Sequence, residues 1–374
     1  MMQQFLFASA MDAEVDTLLS ECLSQLGRIP DGANLGFLYA TDQLADDMRQ
    51  TLIRLEQEIP GVNWVGTVGM GICTSGREIY DRPALALMIG SFPADSFRVL
   101  PGLQGEHHAL PPDLAAWWQG QEYCFALVHG DPSNAMTPLF LQHLAQAQTS
   151  SFINGGLTSS NGENPQLANA VVSRGLSGVV FDQQVRILTD HTQGCSPIGP
   201  VHEITKARQN IAISLDRRPA LEVMKEDIGE VLAKDLAKIG GYIFAALPIL
   251  GSDTGDYLVR NLIGLDPDQG LVAVGDQIED QTRMMFCRRD GNTAREDLER
   301  MLARLSKRVG ENTIRGGIYI SCLGRGRYQF GENSEELKLI QQQLGDFPLL
   351  GFFANGEIYN GRLYGYTGVL TLFL

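Results

Sequence analysis

The chain is poor in positive charge. It holds 29 lysines and arginines against 44 acidic residues, a net charge of −15. Affinity for a nucleic-acid backbone comes from cations that neutralise phosphates, so this balance disfavours nucleic acid, and an anionic membrane surface with it. Arg288-Arg289 and Arg325/Arg327 are small basic spots rather than a stripe. Closely spaced cysteines are absent: of Cys22, Cys73, Cys124, Cys195, Cys287 and Cys322, no two lie within about 30 residues, which excludes a metal knuckle or a sequence-local redox pair. No apolar run approaches the roughly 20 residues of a membrane helix. The first residues, "MMQQFLFASAMDAEVD", lack the basic start and apolar length of a signal peptide. No Asn-x-Ser/Thr sequon occurs. Together these absences point to a reduced, cytoplasmic setting. Phosphate-loop, nucleophile-elbow and zinc-protease patterns are missing as well, and the glycines of "GTVGMG" fall at the wrong offsets for a dinucleotide fingerprint.

What is present is ordinary globular composition, 44% hydrophobic and 20% charged, in a length that suggests two or three domains. The elements come in rounds. "NLGFLYA" reads as a strand, "QLADDMRQTLIRLEQEI" as a helix, "NWVGTVGMGI" as extended chain and "PALALMIG" as a strand. "EYCFALV", "TPLFLQHLAQAQ", "SSFINGG" and "GLSGVVFD" repeat that order, as do "GGIYIS", "NSEELKLIQQQLG", "FPLLGFFA" and "RLYGYTGVLTLF". Gly66, Gly155 and Gly351 are the best-matched positions among the rounds. The spacings are too irregular for a solenoid. They predict an α+β fold: duplicated β-α-β-β units forming mixed, largely antiparallel sheets covered by helices.

Different material separates rounds two and three. A helix is predicted over 220–239, with Leu221, Met224, Ile228, Leu232 and Leu236 on one face. Strands around the turn Asp266-Pro267-Asp268-Gln269-Gly270 follow it. A boundary near Arg217-Arg218-Pro219 divides the chain into expected domains 1–215 and 216–374.

The candidate site lies in the third round. "SCLGRG" supplies the Ser321 hydroxyl, the Cys322 thiol and the Arg325 guanidinium, while Gly324 and Gly326 let backbone amides come close to a ligand. An arginine fork suits a carboxylate. In the bend Asn355-Gly356-Glu357, the polar side chains suit an amine or order the arginine. The bland alternatives are equally concrete. Asn355-Gly356 is a hairpin signal in its own right. Glu357 has Arg325 and Arg362 as possible partners, and a cysteine after a strand is commonly a small buried hydrophobe. A thiol mechanism at Cys322 needs a base, and the histidines (His107, His108, His129, His143, His191, His202) all fall in the other half. Of these His129, at a strand end, is the best placed, with an exposed loop histidine as its plain reading.

"YISCLGRG", "GFFANGEI" and "YGYTGVLTLF" resemble the C-terminal signature of FIST (F-box and intracellular signal transduction) proteins. "WVGTVGMGICTSGREI", the 259–290 meander and the order of elements fit the same family. The resemblance implies a FIST N-terminal domain followed by a FIST C-terminal domain; from the missing motifs, no cofactor or metal is expected. It implies a cytoplasmic sensory module that binds a small polar ligand, an amino acid or derivative among the candidates, and signals through a protein partner. A ligand-free scaffold is the alternative, and an enzyme acting through Cys322 ranks behind both.

Overall fold

The computed structural model describes residues 5–104, 109–147, 150–233, 236, 239–249 and 256–374. The chain forms two compact units, one from residues 1–193 and 296–374, the other from 194–295.

The first unit consists of three copies of one pattern. The first copy runs β1 (Leu6–Met11), α1 (Val15–Leu26), β2 (Leu35–Thr41), α2 (Met48–Glu58), β3 (Asn63–Gly69), the hairpin β4 (Gly71–Thr74) and β5 (Arg77–Tyr80), and β6 (Ala84–Gly90). The second runs β7 (Phe97–Leu103), α3 (Pro112–Gln119), β8 (Cys124–Gly130), α4 (Thr137–Ala147), β9 (Ser151–Leu157), the hairpin β10 (Gln166–Ala168) and β11 (Val171–Val172), and β12 (Leu176–Asp182). The third opens with β13 (Ile187–Gln193) and then admits an insertion. The insertion carries β14 (Cys195–Arg208), β15 (Ile211–Leu215), β16 (Arg218–Pro219), α5 (Ala220–Ala233), β17 (Ile243–Pro248), β18 (Tyr257–Asp266), β19 (Leu271–Val274) and β20 (Arg283–Arg289). The third copy resumes with α6 (Gly291–Val309), β21 (Gly316–Cys322), the short α7 (Arg327–Phe330), α8 (Glu335–Leu344), β22 (Leu349–Ala354), the hairpin β23 (Glu357–Tyr359) and β24 (Arg362–Tyr364), and β25 (Thr367–Phe373).

Each copy builds the core of one sheet, and a hairpin from another copy completes it. The orders are β1-β6-β2-β3-β10-β11, β7-β12-β8-β9-β23-β24 and β13-β25-β21-β22-β4-β5. In each, one parallel pair (β2–β3, β8–β9, β21–β22) sits among antiparallel neighbours. The inner faces of all three sheets share one apolar core, including Phe37, Tyr39, Phe125, Val179, Ile320 and Phe352. Helices cover the outer faces: Leu18, Leu52 and Leu55 pack on the first sheet, and Leu114, Trp118 and Phe140 on the second. Strands buried on both faces read as continuous apolar runs, which explains "ALALMIG" and "CFALVHG".

The matched glycines occupy equivalent places. Gly66, Gly155 and Gly351 face Leu38, Val128 and Tyr319 across the three parallel pairs. A Cβ at these positions would lie 1.7, 1.9 and 1.8 Å from the facing carbonyl oxygen. Close backbone approach, not a turn, demands glycine here.

The second unit is an antiparallel barrel. The pairing runs β14-β20-β17-β18-β19-β15 and closes through β14–β15, with β16 attached to β15. α5 packs Leu221, Met224 and Ile228 against Ile204, Leu215 and Phe286. The regular helix is shorter than predicted: Gly229 is non-helical, with φ 80° and ψ 161°. Residues 234, 235, 237 and 238 of the predicted helix lie outside the described residues. On β14, the His202 imidazole bonds Asp216 at 2.6 Å and Asp227 of α5 at 2.8 Å. Cys195 and Cys287, remote in sequence, come into thiol contact across β14 and β20. Spacing alone therefore did not separate the cysteines.

Candidate functional site

β21 and β22 end side by side, because Ser321 pairs with Phe353 and Cys322 with Ala354. The two predicted bends leave from these ends. Leu323 N–H donates to Ala354 O at 3.0 Å and ties them together.

The first bend closes over a buried carboxylate. Glu336, on α8, has no exposed surface. It accepts hydrogen bonds from Tyr319 OH (2.6 Å), Ser321 Oγ (3.2 Å to each oxygen), Arg325 Nε (2.8 Å) and Gly326 N–H (2.9 Å). Arg325 is also fully buried, with Nη2 2.7 Å from Glu336 Oε1 and its guanidinium 5.0 Å from the centre of the Phe330 ring. Burial opposes the Arg325 charge, but Glu336 outweighs it and holds the guanidinium protonated. Nη1 has no hydrogen-bond partner. Gly324 leaves room for the Tyr366 ring, which a Cβ would meet at 2.9 Å. Gly326 takes φ +50°, and a Cβ there would meet Tyr80 OH at 2.1 Å.

The second bend is not a hairpin. β22 and β23 belong to different sheets, so Asn355-Gly356 carries the chain from the third sheet to the second. Asn355 N–H donates to Leu157 O at 2.9 Å, and Gly356 O accepts Leu157 N–H at 2.8 Å. The Asn355 side chain is exposed. The true hairpin turn is Asn360-Gly361, with φ of 49° and 69° at its two central residues. "RLYGYTGVLTLF" is likewise two strands, β24 and β25, in different sheets, separated at Gly365-Tyr366. Tyr366 is left-handed there, with φ 60°.

Glu357 has no exposed surface. Its Oε2 accepts Thr367 N–H (3.0 Å) and Thr367 Oγ1 (2.7 Å), while Oε1 has no hydrogen-bond partner. Neither Arg325 nor Arg362 forms an ion pair with it among the described contacts. Burial pushes this carboxyl up to about 7; the Thr367 bonds, the Arg325 charge and the Cys322 thiol hold it from rising further. Cys322 is half-buried. Burial and the Glu357 charge raise its thiol, against the amides of Gly324 and Tyr366 and the Arg325 charge. A raised pKa leaves little thiolate for nucleophilic work.

His129 lies on β8 with no exposed surface, bonded through Nε2 to Tyr39 OH at 2.8 Å. Burial lowers its pKa to about 3. It is a neutral core histidine, not an exposed loop residue. His107 and His108 lie outside the described residues.

The equivalent strand ends in the other copies differ. Three residues past Leu38, Val128 and Tyr319 come Thr41, Asp131 and Cys322. Thr41 Oγ1 is spent on Arg82 O and Ala84 N–H, both at 2.9 Å. Asp131 accepts Ser133 N–H and Oγ on one oxygen and Arg174 N–H on the other. At the third end, the buried polar atoms Arg325 Nη1 and Glu357 Oε1 are unpartnered.

Sequence reasoning missed Glu336, the centre of the network, because it looked for the site's polar groups in the bends and not on the helix. The signal was its spacing: Glu336 stands four residues before Ile340 and shares the buried side of α8. Glu78 and Tyr80, brought from the first copy by the β4–β5 hairpin, were out of reach of any local motif.

Comparison with known proteins agrees with the C-terminal motifs. Residues 34–218 match the FIST N domain and residues 220–360 the FIST C domain, so the chain belongs to the FIST family. These domains are, as a class, sensory domains of signal-transduction proteins. The chain is 28% identical over 358 residues to the uncharacterized protein Rv0628c of Mycobacterium tuberculosis, covering 91% of this chain and 90% of that protein. It is 28% identical over 359 residues to the uncharacterized protein Mb0898c of Mycobacterium bovis, covering 91% and 89%. Among the described residues, no helix is long and apolar enough to cross a membrane.

Proposed function

We propose that this chain is a cytoplasmic sensory module that binds a small polar ligand at the paired bends of β21 and β22 and signals through contacts with a partner protein. An amino acid or a derivative fits the chemistry. The carrying observation is the pair of buried atoms without a hydrogen-bond partner, Arg325 Nη1 and Glu357 Oε1, in the two bends that follow β21 and β22. Leaving a buried polar atom without a partner costs about 1–3 kcal/mol, which a ligand that supplies the missing bonds recovers. In the same two bends Cys322 is half-buried and Asn355 exposed.

A thermal-shift screen of amino acids and related amines and acids tests the reading, since a ligand that binds only the folded state raises its stability. The expected result is a stabilising compound whose shift is lost in Asn355→Ala and Glu357→Gln. Arg325→Ala is unsuitable, because it strands Glu336 in the interior. The complete burial of Arg325 favours the alternative of a ligand-free scaffold. A shift identical in the wild type and both variants, or no shift with any compound, selects the scaffold.

A further inference from the structure

We propose that the cleft between the β4–β5 hairpin and the α7–α8 turn binds a small organic carboxylate, gripped by Arg77 and Arg327 and by a hydrogen bond donated from Glu78. The cleft encloses about 340 Å³, and Arg77, Glu78, Tyr80, Arg82, Arg327 and Ser334 are among its walls. Three arginines converge on it in a chain whose net charge is −15. Arg327 is already oriented: it pairs with Asp81 at 2.5 Å and lies 4.4 Å from the centre of the Tyr80 ring. Arg82 pairs with Asp12 at 3.1 Å, at a half-exposed position.

Glu78 decides the sign of the ligand. Its backbone N–H is fixed on Ser334 Oγ at 2.9 Å, and its Oε2 accepts Tyr80 OH at 3.0 Å. Its Oε1 is buried and has no partner. The groups around the carboxyl are Tyr80 on its own strand, Cys73 on β4, Arg327 on α7 and Glu336 on α8, and Glu332, between α7 and α8, lines the same cleft. Burial pushes the carboxyl up to about 8 and the Glu336 charge adds to the rise, while Tyr80 and the amide and charge of Arg327 resist it. Burial therefore favours the protonated form of Glu78, which carries an O–H donor beside the arginines. A neutral acid among arginines suits an incoming carboxylate; an ionised one would suit an amine.

The cleft takes no residue from the Asn355–Glu357 bend, so this proposal stands apart from the ligand reading above. Calorimetric titration of the whole chain with acetate, succinate and citrate tests it, with methylamine and inorganic phosphate as comparators. At least one carboxylate should bind at concentrations up to about 10 mM, more tightly than phosphate or methylamine. Its affinity should fall roughly tenfold between about pH 6.5 and about pH 9.5 as Glu78 ionises. Glu78→Gln, which preserves a neutral donor, should retain binding and flatten the pH profile. Arg327→Gln should weaken it roughly tenfold, and Glu357→Gln should change nothing. Preference for methylamine or phosphate, equal binding in Arg327→Gln, an unchanged pH profile in Glu78→Gln, or no heat with any of the three carboxylates overturns the proposal.

Discussion

Glu357 is a residue the fold holds at a cost. A buried carboxyl raised to about 7 from an ordinary value of 4.5 favours its protonated form in the folded state. The sign follows from linkage: the contribution is fully present below the unfolded value and is lost as pH rises through the folded one. Glu357→Gln removes that loss and keeps the shape. Thermal unfolding should show the variant gaining on the wild type as pH is taken from about 4.5 past about 7, with the gap constant beyond. A gap that does not change with pH would mean that the carboxyl is no more buried in solution than an ordinary surface glutamate. Such residues are where functional sites and stability pull apart. Asn355, Gly356 and Glu357 were legible as a polar bend from composition alone. Their roles were not, because the same three letters serve a hairpin, and only the sheet assignment shows that this bend crosses between sheets.

The strands repeat with a logic that the sequence carries openly in one kind of position. Gly66, Gly155 and Gly351 were recognisable as equivalents before any coordinates, since each sits in an extended segment that follows a strand and a helix. The physical reason needs the pairing: each lies under a carbonyl of the neighbouring parallel strand. Gly351→Ala should therefore cost about 3 kcal/mol or more, at the upper end of overpacking penalties, because the obstructing atom is backbone and cannot rotate away. Gly264→Ala is the control. It lies on an exposed strand where a Cβ meets nothing closer than 3.6 Å, and reduced freedom of the unfolded chain should leave it neutral or slightly stabilising. Urea titration of both variants measures the difference; equal midpoints would refute the close approach. Helix α3 and strand β7 went unpredicted for the opposite reason. "PPDLAAWWQ" is short, and β7 carries a proline within its run. Neither offers a long periodic signal.

The three copies also explain where the second unit enters. In the first two copies the opening strand passes to its helix through a loop, β1 to α1 and β7 to α3. In the third, the whole segment 194–295 stands between β13 and the body of α6. The strands that begin and close the segment meet: Asp290, just past β20, points its N–H to Gly194 O, just before β14, at 3.5 Å. An insertion whose ends adjoin imposes little strain on its host, because the chain re-enters where it left. The family's own division falls elsewhere, between 218 and 220, and so cuts through the barrel sequence rather than beside it. Sequence composition shows the shift at Arg217-Arg218-Pro219, since α5 begins there, but it cannot show that β14 and β15 pair with strands that come later. It follows that the three-sheet unit holds its own core. A chain in which Gln193 is joined to Gly291 by a short glycine-serine linker should fold, with a single cooperative urea transition and a circular-dichroism spectrum of mixed helix and strand. A non-cooperative transition would show that the third copy needs the barrel to close its sheet, and that the three copies are alike in topology but unequal in self-sufficiency.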